Sequence, residues 1–460
     1  MSAAVVAGDA AFRAEDERNR REEASVSTGR TIGEHGAAAR GPMIPGRMVV
    51  YALLFAMTAI NYLDRVNLSL AAGTIARELH LSPVALGWLF SGFLWSYIVF
   101  LIPSGFLADR FGYRSLLAIA VGVWSVATAS TAAGLSFTAI LLSRIGVGVG
   151  EGGAWPLGTR AVRAWAPRSE YGLAISAISL GQSFGVGFGA LFIGWLIATV
   201  GWRASFVIGG AIGLVWAVLW LWVVRDPVKA RWLGEEERSF ILKERDETPA
   251  AALPGGYAAL FKSPAMWALT LGQGCLVYAY YMLLTWLPNY LQTVRGIAIF
   301  RSGVDTAIIY GTAVVGSILL AHLTDRIFSV AALKRGARRM AVVLSFIPAM
   351  LMATTPWLGS TAAVIAVLAV SVTFLANAIS LNAVLCNDLV QRPGDAGKAI
   401  ALFTAGSNVI GITAPIVTGY LVGASRAFNA AFLVTGGILV IGAVILICFA
   451  RGGIGRAQGA

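Results

Sequence analysis

Long apolar runs separated by short polar stretches dominate this chain of 460 residues. The runs are about 20 residues or longer, which is the length that a helix needs to cross a bilayer core about 30 Å thick. The pattern therefore predicts twelve membrane-spanning helices. They lie at residues 48–72, 84–107, 115–135, 137–164, 172–199, 204–224, 265–293, 302–325, 340–358, 362–389, 398–424 and 428–450.

The first predicted span carries ionisable residues in its interior. Asp64 and Arg65 follow an apolar stretch from Met48 to Ala59, with no turn signal between them. A charge near the bilayer centre costs roughly 3 kcal/mol or more, so it normally faces a protein interior and marks a pathway for ions or substrate. We expect Asp64 and Arg65 to lie in a water-accessible site around which the other spans are arranged.

A polar, charged stretch divides the spans into two sets of six. It begins at Arg225 and ends near Lys262, and it predicts a solvated linker with a short surface helix. The predicted organisation is a disordered cytoplasmic tail over 1–46, a six-helix bundle over 47–224, a cytoplasmic linker over 225–264, a second six-helix bundle over 265–450 and a cytoplasmic tail over 451–460.

Composition and charge agree with a membrane protein. Charged residues make up 13% of the chain, whereas soluble proteins contain about 25%. The net charge of +12 comes from loops, because about 28 of the 35 Lys and Arg residues lie on one side of the predicted spans. This bias predicts a multi-pass protein of the inner membrane with both termini in the cytoplasm, whose partner is the lipid bilayer and not nucleic acid.

The remaining composition argues against an enzyme. The three cysteines all lie within apolar runs, and the three histidines are scattered through the tail and the loop edges. Neither set has the spacing of a metal site or a redox motif. We therefore expect no catalytic centre, no disulfide framework and no metal.

A short motif joins spans two and three. A weaker counterpart joins spans eight and nine, at the equivalent place in the second half. The first copy is Gly105-Phe106-Leu107-Ala108-Asp109-Arg110-Phe111-Gly112-Tyr113-Arg114, and the second contains Leu323-Thr324-Asp325-Arg326. The first copy is the GxLADRxGxR signature of the major facilitator superfamily, which this chain resembles. The resemblance implies an all-α membrane protein of two pseudo-symmetric six-helix bundles, with the substrate site between them and alternating access.

Four stretches carry a closer resemblance within that superfamily, to the anion:cation symporter family of sialin and bacterial sugar-acid carriers such as the D-galactonate transporter. These stretches are residues 61–65, 143–152, 182 and 284–291. The resemblance implies a monomeric secondary transporter that imports a small organic anion, such as a sugar acid or a related carboxylate. It implies proton symport, with the proton as coupling ion and no other cofactor.

Buried acids and bases form the core of the predicted site. Arg144 and Glu151 are seven residues apart, so they share one face of span four. With Asp64 and Arg65 they make two acids and two bases in the first half. One interpretation is a static ion-pair cluster that locks spans one and four together. The resemblance implies the other, proton coupling, in which Asp64 and Glu151 take up protons and Arg144 exchanges partners with Asp64.

Substrate contacts are also implied by the resemblance. Arg65 is expected to hold the substrate carboxylate, for which its planar guanidinium is suited, while Tyr62 and Gln182 bind hydroxyl groups. The second half has no buried arginine, and we expect its intramembrane polar residues to be uncharged. Among these, Asn408 and Tyr281 are the candidates for substrate binding.

The signature loop itself is expected at the cytoplasmic edge and outside the substrate site. Its Asp109, Arg110 and Arg114 resemble a latch that ties the two halves together in the outward-open state of superfamily members. The alternative is a solvated turn that obeys the positive-inside bias.

Two other functions remain open at this point. A proton-coupled exporter, or antiporter, of a drug or metabolite would have the same fold, although buried arginines argue against cationic drugs. A receptor or membrane enzyme would need a different set of chemical groups from those that the sequence contains.

Overall fold

The computed structural model describes residues 45–245, 257–327, 336–392, 395–425 and 427–454. The predicted tails over 1–46 and 451–460 lie almost wholly outside these residues. Residues Gly46–Ala460 belong to one compact unit, and its described part is almost entirely helical. The all-α prediction is confirmed.

The first half contains six helices. They are α1 (Gly46–Glu78), α2 (Pro83–Phe111), α3 (Tyr113–Ser130), α4 (Phe137–Glu151), α5 (Ala154–Trp165) and α6 (Tyr171–Val223). Local sequence explains where α2 begins, because the Ser82 side chain accepts a hydrogen bond from the amide of Ala85 and Pro83 occupies the first turn.

The described residues of the linker and the second half contain nine more. They are α7 (Glu235–Glu244), α8 (Tyr257–Phe261), α9 (Pro264–Thr293), α10 (Ile299–Ile327), α11 (Arg338–Ala349), α12 (Thr361–Leu389), α13 (Ala396–Gly411), α14 (Thr413–Ser425) and α15 (Asn429–Phe449). A 3₁₀ helix, Met350–Trp357, extends α11.

The described helices match the twelve predicted spans, except that predicted spans four and eleven are each divided into two helices. Predicted spans five and six are two helical arms that carry the one label α6 and are separated by a kink at Gly201, whose φ of 84° and ψ of 165° are not helical and favour glycine. Predicted span four is interrupted between α4 and α5, where Gly152 passes so close to α2 that a β-carbon would lie 2.7 Å from the Tyr97 carbonyl oxygen. Within the described residues, ten helical segments are long and apolar enough to cross a membrane. These ten count α6 once and leave out the α4–α5 pair.

Close packing of α1 against α6 positions the centre of the first half. Gly181, Gly185 and Gly189 lie along one face of α6, and the α1 backbone at Phe55 and Ala59 occupies the space where side chains would stand at the first two. Such small residues let two helices approach closely in a membrane. The approach places the polar segment of α1 deep between neighbouring helices.

The linker contains the short helix α7, which is attached to the first half. The Arg47 guanidinium contacts Glu170 at 2.7 Å and Glu237 at 3.0 Å. The Glu237 carboxylate also accepts hydrogen bonds from the amides of Gly46 and Arg47. We call this group of Arg47, Glu170 and Glu237 the Arg47 clamp. It joins the start of α1, the α5–α6 connection and α7.

Candidate functional site

The two halves contact each other directly at one end of the molecule. The Ser69 hydroxyl donates to the Thr285 carbonyl oxygen at 2.7 Å, and the Gln292 amide donates to the Leu70 carbonyl oxygen at 3.1 Å. These residues lie toward the ends of α1 and α9 that are remote from the start of each helix. We call this the closed end of the interface.

A narrow cavity of about 30 Å³, which we call the central cavity, lies between the halves near the middle of α1. Its lining includes Arg65, Arg144 and Glu151 from the first half and Tyr281, Leu284 and Thr285 from the second. The volume has room for about one or two water molecules. An organic anion therefore needs the halves to move apart before it can reach these residues.

Arg65 and Glu151 form a buried ion pair at this cavity. The Arg65 Nε and Nη2 atoms lie 3.1 and 3.0 Å from Glu151 Oε2. The Glu151 side chain is fully buried, and that of Arg65 is 9% exposed. Removing one member of such a pair leaves an uncompensated buried charge, so any group that takes Arg65 away would leave Glu151 to be neutralised in another way.

Aromatic rings surround the Arg65 guanidinium. Its central carbon lies 4.6 Å from the ring centre of Tyr62, 4.8 Å from that of Phe93 and 5.2 Å from that of Tyr97. Each ring face attracts a cation, so the guanidinium stays in place whether or not an acid is bound to it. Sequence reasoning found Tyr62 and missed Phe93 and Tyr97, although their i,i+4 spacing on α2 indicates a shared helix face.

Asp64 and Arg144 are buried beside this pair without ion-pair partners of their own among the described residues. Asp64 is 1% exposed and accepts a hydrogen bond from the Thr128 hydroxyl at 3.3 Å. Arg144 is 2% exposed and donates to the Thr131 hydroxyl at 2.8 Å. A static cluster would pair all four charges, because buried charges are tolerated mainly when they are paired. The observed arrangement leaves one acid and one base able to take new partners.

The second half contributes a hydrogen-bonded pair of uncharged side chains. The Tyr281 hydroxyl donates to Asn408 Oδ1 at 2.8 Å, and the Asn408 amide donates to the Thr404 carbonyl oxygen. Tyr281 lines the central cavity. The two candidates that the sequence singles out in this half are thus in contact, on α9 and α13.

Other polar residues of the second half serve helix packing. Asn377 donates to the Ser345 hydroxyl at 3.0 Å, and Asn382 donates to Gln273 Oε1 at 3.0 Å. Both bonds join neighbouring helices within the half, as intramembrane amides commonly do.

One sequence-based expectation for this half is wrong. Asp305 on α10 is fully buried, so the intramembrane polar set includes a charged residue. It pairs with Arg301 one turn earlier, at 3.0 Å between Asp305 Oδ1 and Arg301 Nε. Its place near the start of predicted span eight, beside an exposed arginine, makes it resemble a loop residue in the sequence. Asp305 does not line the central cavity.

Gln182 and the signature loop lie apart from the central pair. Gln182 is half-buried on α6 and has no hydrogen-bond partner among the described residues. Arg114 donates to the Leu221 and Val224 carbonyl oxygens at the end of α6, within its own half. The Arg110 guanidinium lies 5.5 Å from the neighbouring Phe111 ring. The Asp109 side chain is outside the described part of the chain.

Comparison with known proteins identifies the family. The model of the Major Facilitator Superfamily matches residues 54–396. The probable sulfoacetate transporter of Cupriavidus necator is 32% identical over 87% of this chain and 93% of its own length. The probable galactarate/D-glucarate transporter of Escherichia coli is 28% identical over 85% and 90%. The chain belongs to the Major Facilitator Superfamily, as its sequence predicts, and is a multi-pass membrane protein.

A solved structure supports the same fold. A bacterial homologue of the human lysosomal transporter Spinster, in an inward-facing conformation, superimposes with a TM-score of 0.72 at 20% identity. The match covers 91% of this chain and all of that one. The prediction of the major facilitator fold is confirmed.

Proposed function

We propose that this protein is a secondary transporter that imports a small organic anion, a sugar acid or a related carboxylate, by proton symport with alternating access. The observation that carries the proposal is the buried group of two acids and two arginines, three of which (Arg65, Arg144 and Glu151) line the cavity between the halves, and of which only Arg65 and Glu151 are paired among the described residues. An arginine at this position attracts an anion and repels a cation.

The proposed coupling is an exchange of partners. The carboxylate of the substrate binds Arg65 and displaces Glu151, which then lies in a buried site without its cation. Burial favours the neutral form of a carboxyl group, so Glu151 takes up a proton. Arg144 lies beside both acids and in this scheme alternates between Asp64 and its Thr131 partner, which makes Asp64 the second protonatable group.

The hydroxyl groups of the substrate are assigned to the surrounding polar side chains. Tyr281 lines the cavity from the second half and is hydrogen-bonded to Asn408, and the Tyr62 ring of the first half lies against the Arg65 guanidinium. Gln182 can join them when the halves move, since it lies on α6 beside the α1–α6 contact. The named relatives support an anionic substrate, because sulfoacetate and galactarate both carry two acidic groups.

The direction of transport rests on the predicted orientation. If the termini are cytoplasmic, the closed end faces away from the cytoplasm and the conformation is inward-facing. In that state Arg110 and Arg114 make no contact across the halves among the described residues, which suits a latch that forms only in the outward-open state. Protons that enter with the anion also offset the repulsion of an anion by the negative-inside potential, about 2.3 kcal/mol per charge per 100 mV.

A ligand panel tests the proposal. Purified protein is heated with a series of carboxylates at pH 5.5 and pH 8, and the same compounds are then offered to proteoliposomes with an imposed proton gradient. We expect one chemical series of organic acids to raise the melting temperature and to accumulate with the gradient. Gradient-driven efflux of a cation, without uptake of any anion, would instead support the exporter.

A further inference from the structure

A second, larger cavity lies between α6 and α10, on the side of the interface opposite to the closed end. Its volume is about 440 Å³. We call it the serine cavity, because Ser176, Ser179 and Ser183 of α6 line it, together with Tyr280, Tyr310 and Ser317 from the second half. The residues that line it in the described part of the chain are uncharged.

The three serines form one stripe along α6. Their spacing of three and four residues places them on the same helix face, and the stripe extends over about 10 Å at 1.5 Å per residue. Ser176 and Ser183 have no hydrogen-bond partner among the described residues, while Ser179 donates to the Ile175 carbonyl oxygen and retains its acceptor capacity. The stripe therefore offers several free hydrogen-bonding groups to one ligand.

Tyr310 supplies an independent indication of a polar ligand. It is 5% exposed and lines the serine cavity, and its hydroxyl has no hydrogen-bond partner among the described residues. A buried hydroxyl without a partner is unfavourable by about 1–3 kcal/mol, so a partner that arrives from the cavity would stabilise this position.

A row of packed aromatic rings lies between the serine cavity and the central cavity. The Tyr310 ring packs edge-on against Tyr280 at 6.1 Å, and the Tyr280 ring lies 6.1 Å from that of Tyr281. Tyr281 in turn lines the central cavity beside Arg65. Tyr280 and Tyr281 thus line the two cavities from adjacent positions of α9, and a ligand that extends from Arg65 past these rings meets hydroxyl groups and no charge.

We propose that the serine cavity is a second binding subsite, which takes the hydroxylated carbon chain of a polyhydroxy acid and gives the transporter its preference for such acids over unhydroxylated ones. The inference rests on the proposed function. Uncharged hydroxyls cannot replace Arg65 as the carboxylate site, but they can exchange hydrogen bonds with several substrate hydroxyls at once. The subsite therefore acts on selectivity and leaves the affinity for the acidic group unchanged.

Two six-carbon diacids that differ only in hydroxylation test the proposal. D-Glucarate and adipate are compared as competitors and as substrates of the full-length protein in proteoliposomes. We expect the wild type to prefer D-glucarate. In the triple variant S176A/S179A/S183A the KM for D-glucarate should rise about tenfold, as several neutral hydrogen bonds are lost, while the KM for adipate changes less than twofold.

Two single variants test whether the change in KM is specific to the serine cavity or reflects a general loss of protein stability. Tyr310→Phe removes only the unpartnered hydroxyl and should raise the KM for D-glucarate about threefold, and Tyr420→Phe, at an exposed position of α14, should change neither KM. An equal loss for both diacids, or an unchanged preference in both cavity variants, would overturn the subsite. A wild type that transports both diacids equally well would overturn it and leave anion transport standing. A wild type that responds to no carboxylate would overturn both proposals.

Discussion

The two halves of the molecule bring different chemistry to the central cavity and its immediate surroundings. The first half supplies two arginines and two acids, all nine-tenths or more buried. The second half supplies the uncharged pair Tyr281–Asn408, and its own buried acid, Asp305, lies elsewhere. Competition between a proton and an anion can then take place inside one rigid bundle. The other bundle adds contacts that depend on how closely the halves approach.

The largest expected effect comes from neutralising the acids of the first half. Asp64→Asn and Glu151→Gln should each reduce uphill uptake to the level of empty vesicles, because neither amide can carry a proton across the membrane. Accumulation in proteoliposomes with an imposed proton gradient measures this loss. Exchange of labelled for unlabelled substrate, which needs no net proton movement, is the control for folding and binding. Undiminished accumulation in either variant would refute the assignment.

A smaller loss, of substrate affinity, is expected when Arg65 is replaced by a lysine, which has the same charge but no planar guanidinium. Arg65→Lys should weaken substrate binding about tenfold to a hundredfold, since a lysine cannot bind a carboxylate bidentately and stacks less well on aromatic rings. Calorimetric titration of the purified protein gives the dissociation constant. Arg301→Lys, at a position 65% exposed in the side chain, is the matched control. Equal affinity in the Arg65 variant would remove Arg65 from the substrate site.

The uncharged pair of the second half should contribute less than the charges. Tyr281→Phe and Asn408→Ala should each raise the KM about fivefold, and the double variant should be less impaired than the product of the two, because the side chains share a hydrogen bond. Initial uptake rates over a substrate series supply the four values of this double-mutant cycle. Independent effects that multiply would mean that the two residues do not act on the substrate as a unit.

The smallest effect is expected at the buried acid of the second half. Asp305→Asn should change uphill uptake less than twofold, because Asp305 pairs with Arg301 and lies outside the lining of the central cavity. The same proteoliposome assay applies, with Asp64→Asn as the comparison of identical chemistry. If the two variants lose uptake equally, coupling is shared between the halves and the contrast between them fails.

Helix positions were accessible from the sequence because a bilayer-spanning helix needs a long apolar run, which is a property of the chain itself. The interruption between α4 and α5 was not, since it depends on how closely Gly152 approaches α2. The boundary between spans five and six was accessible, because Gly201, where the backbone leaves the helical conformation, lies between the two apolar runs.

The sequence predicted the charged part of the candidate site. Asp64, Arg65, Arg144 and Glu151 stand out because ionised side chains are rare in apolar runs. The aromatic partners of Arg65 were not foreseen, because Phe93 and Tyr97 resemble ordinary lipid-facing residues of a span. The sequence also could not predict which of these charges form ion pairs, because the pairing depends on side-chain distances between helices that are remote along the chain.

The Arg47 clamp has a practical consequence for observing the transport cycle. Because an ion pair with Arg47 and hydrogen bonds from the amides of Gly46 and Arg47 hold Glu237 of α7 against the first half, this helix should move as one body with that bundle. A fluorophore or spin label on its outer face can be paired with a second label on the opposite bundle, at the end remote from the closed end. Changes in the distance between the labels would report the proposed movement of the halves in real time, with the central cavity itself left unlabelled.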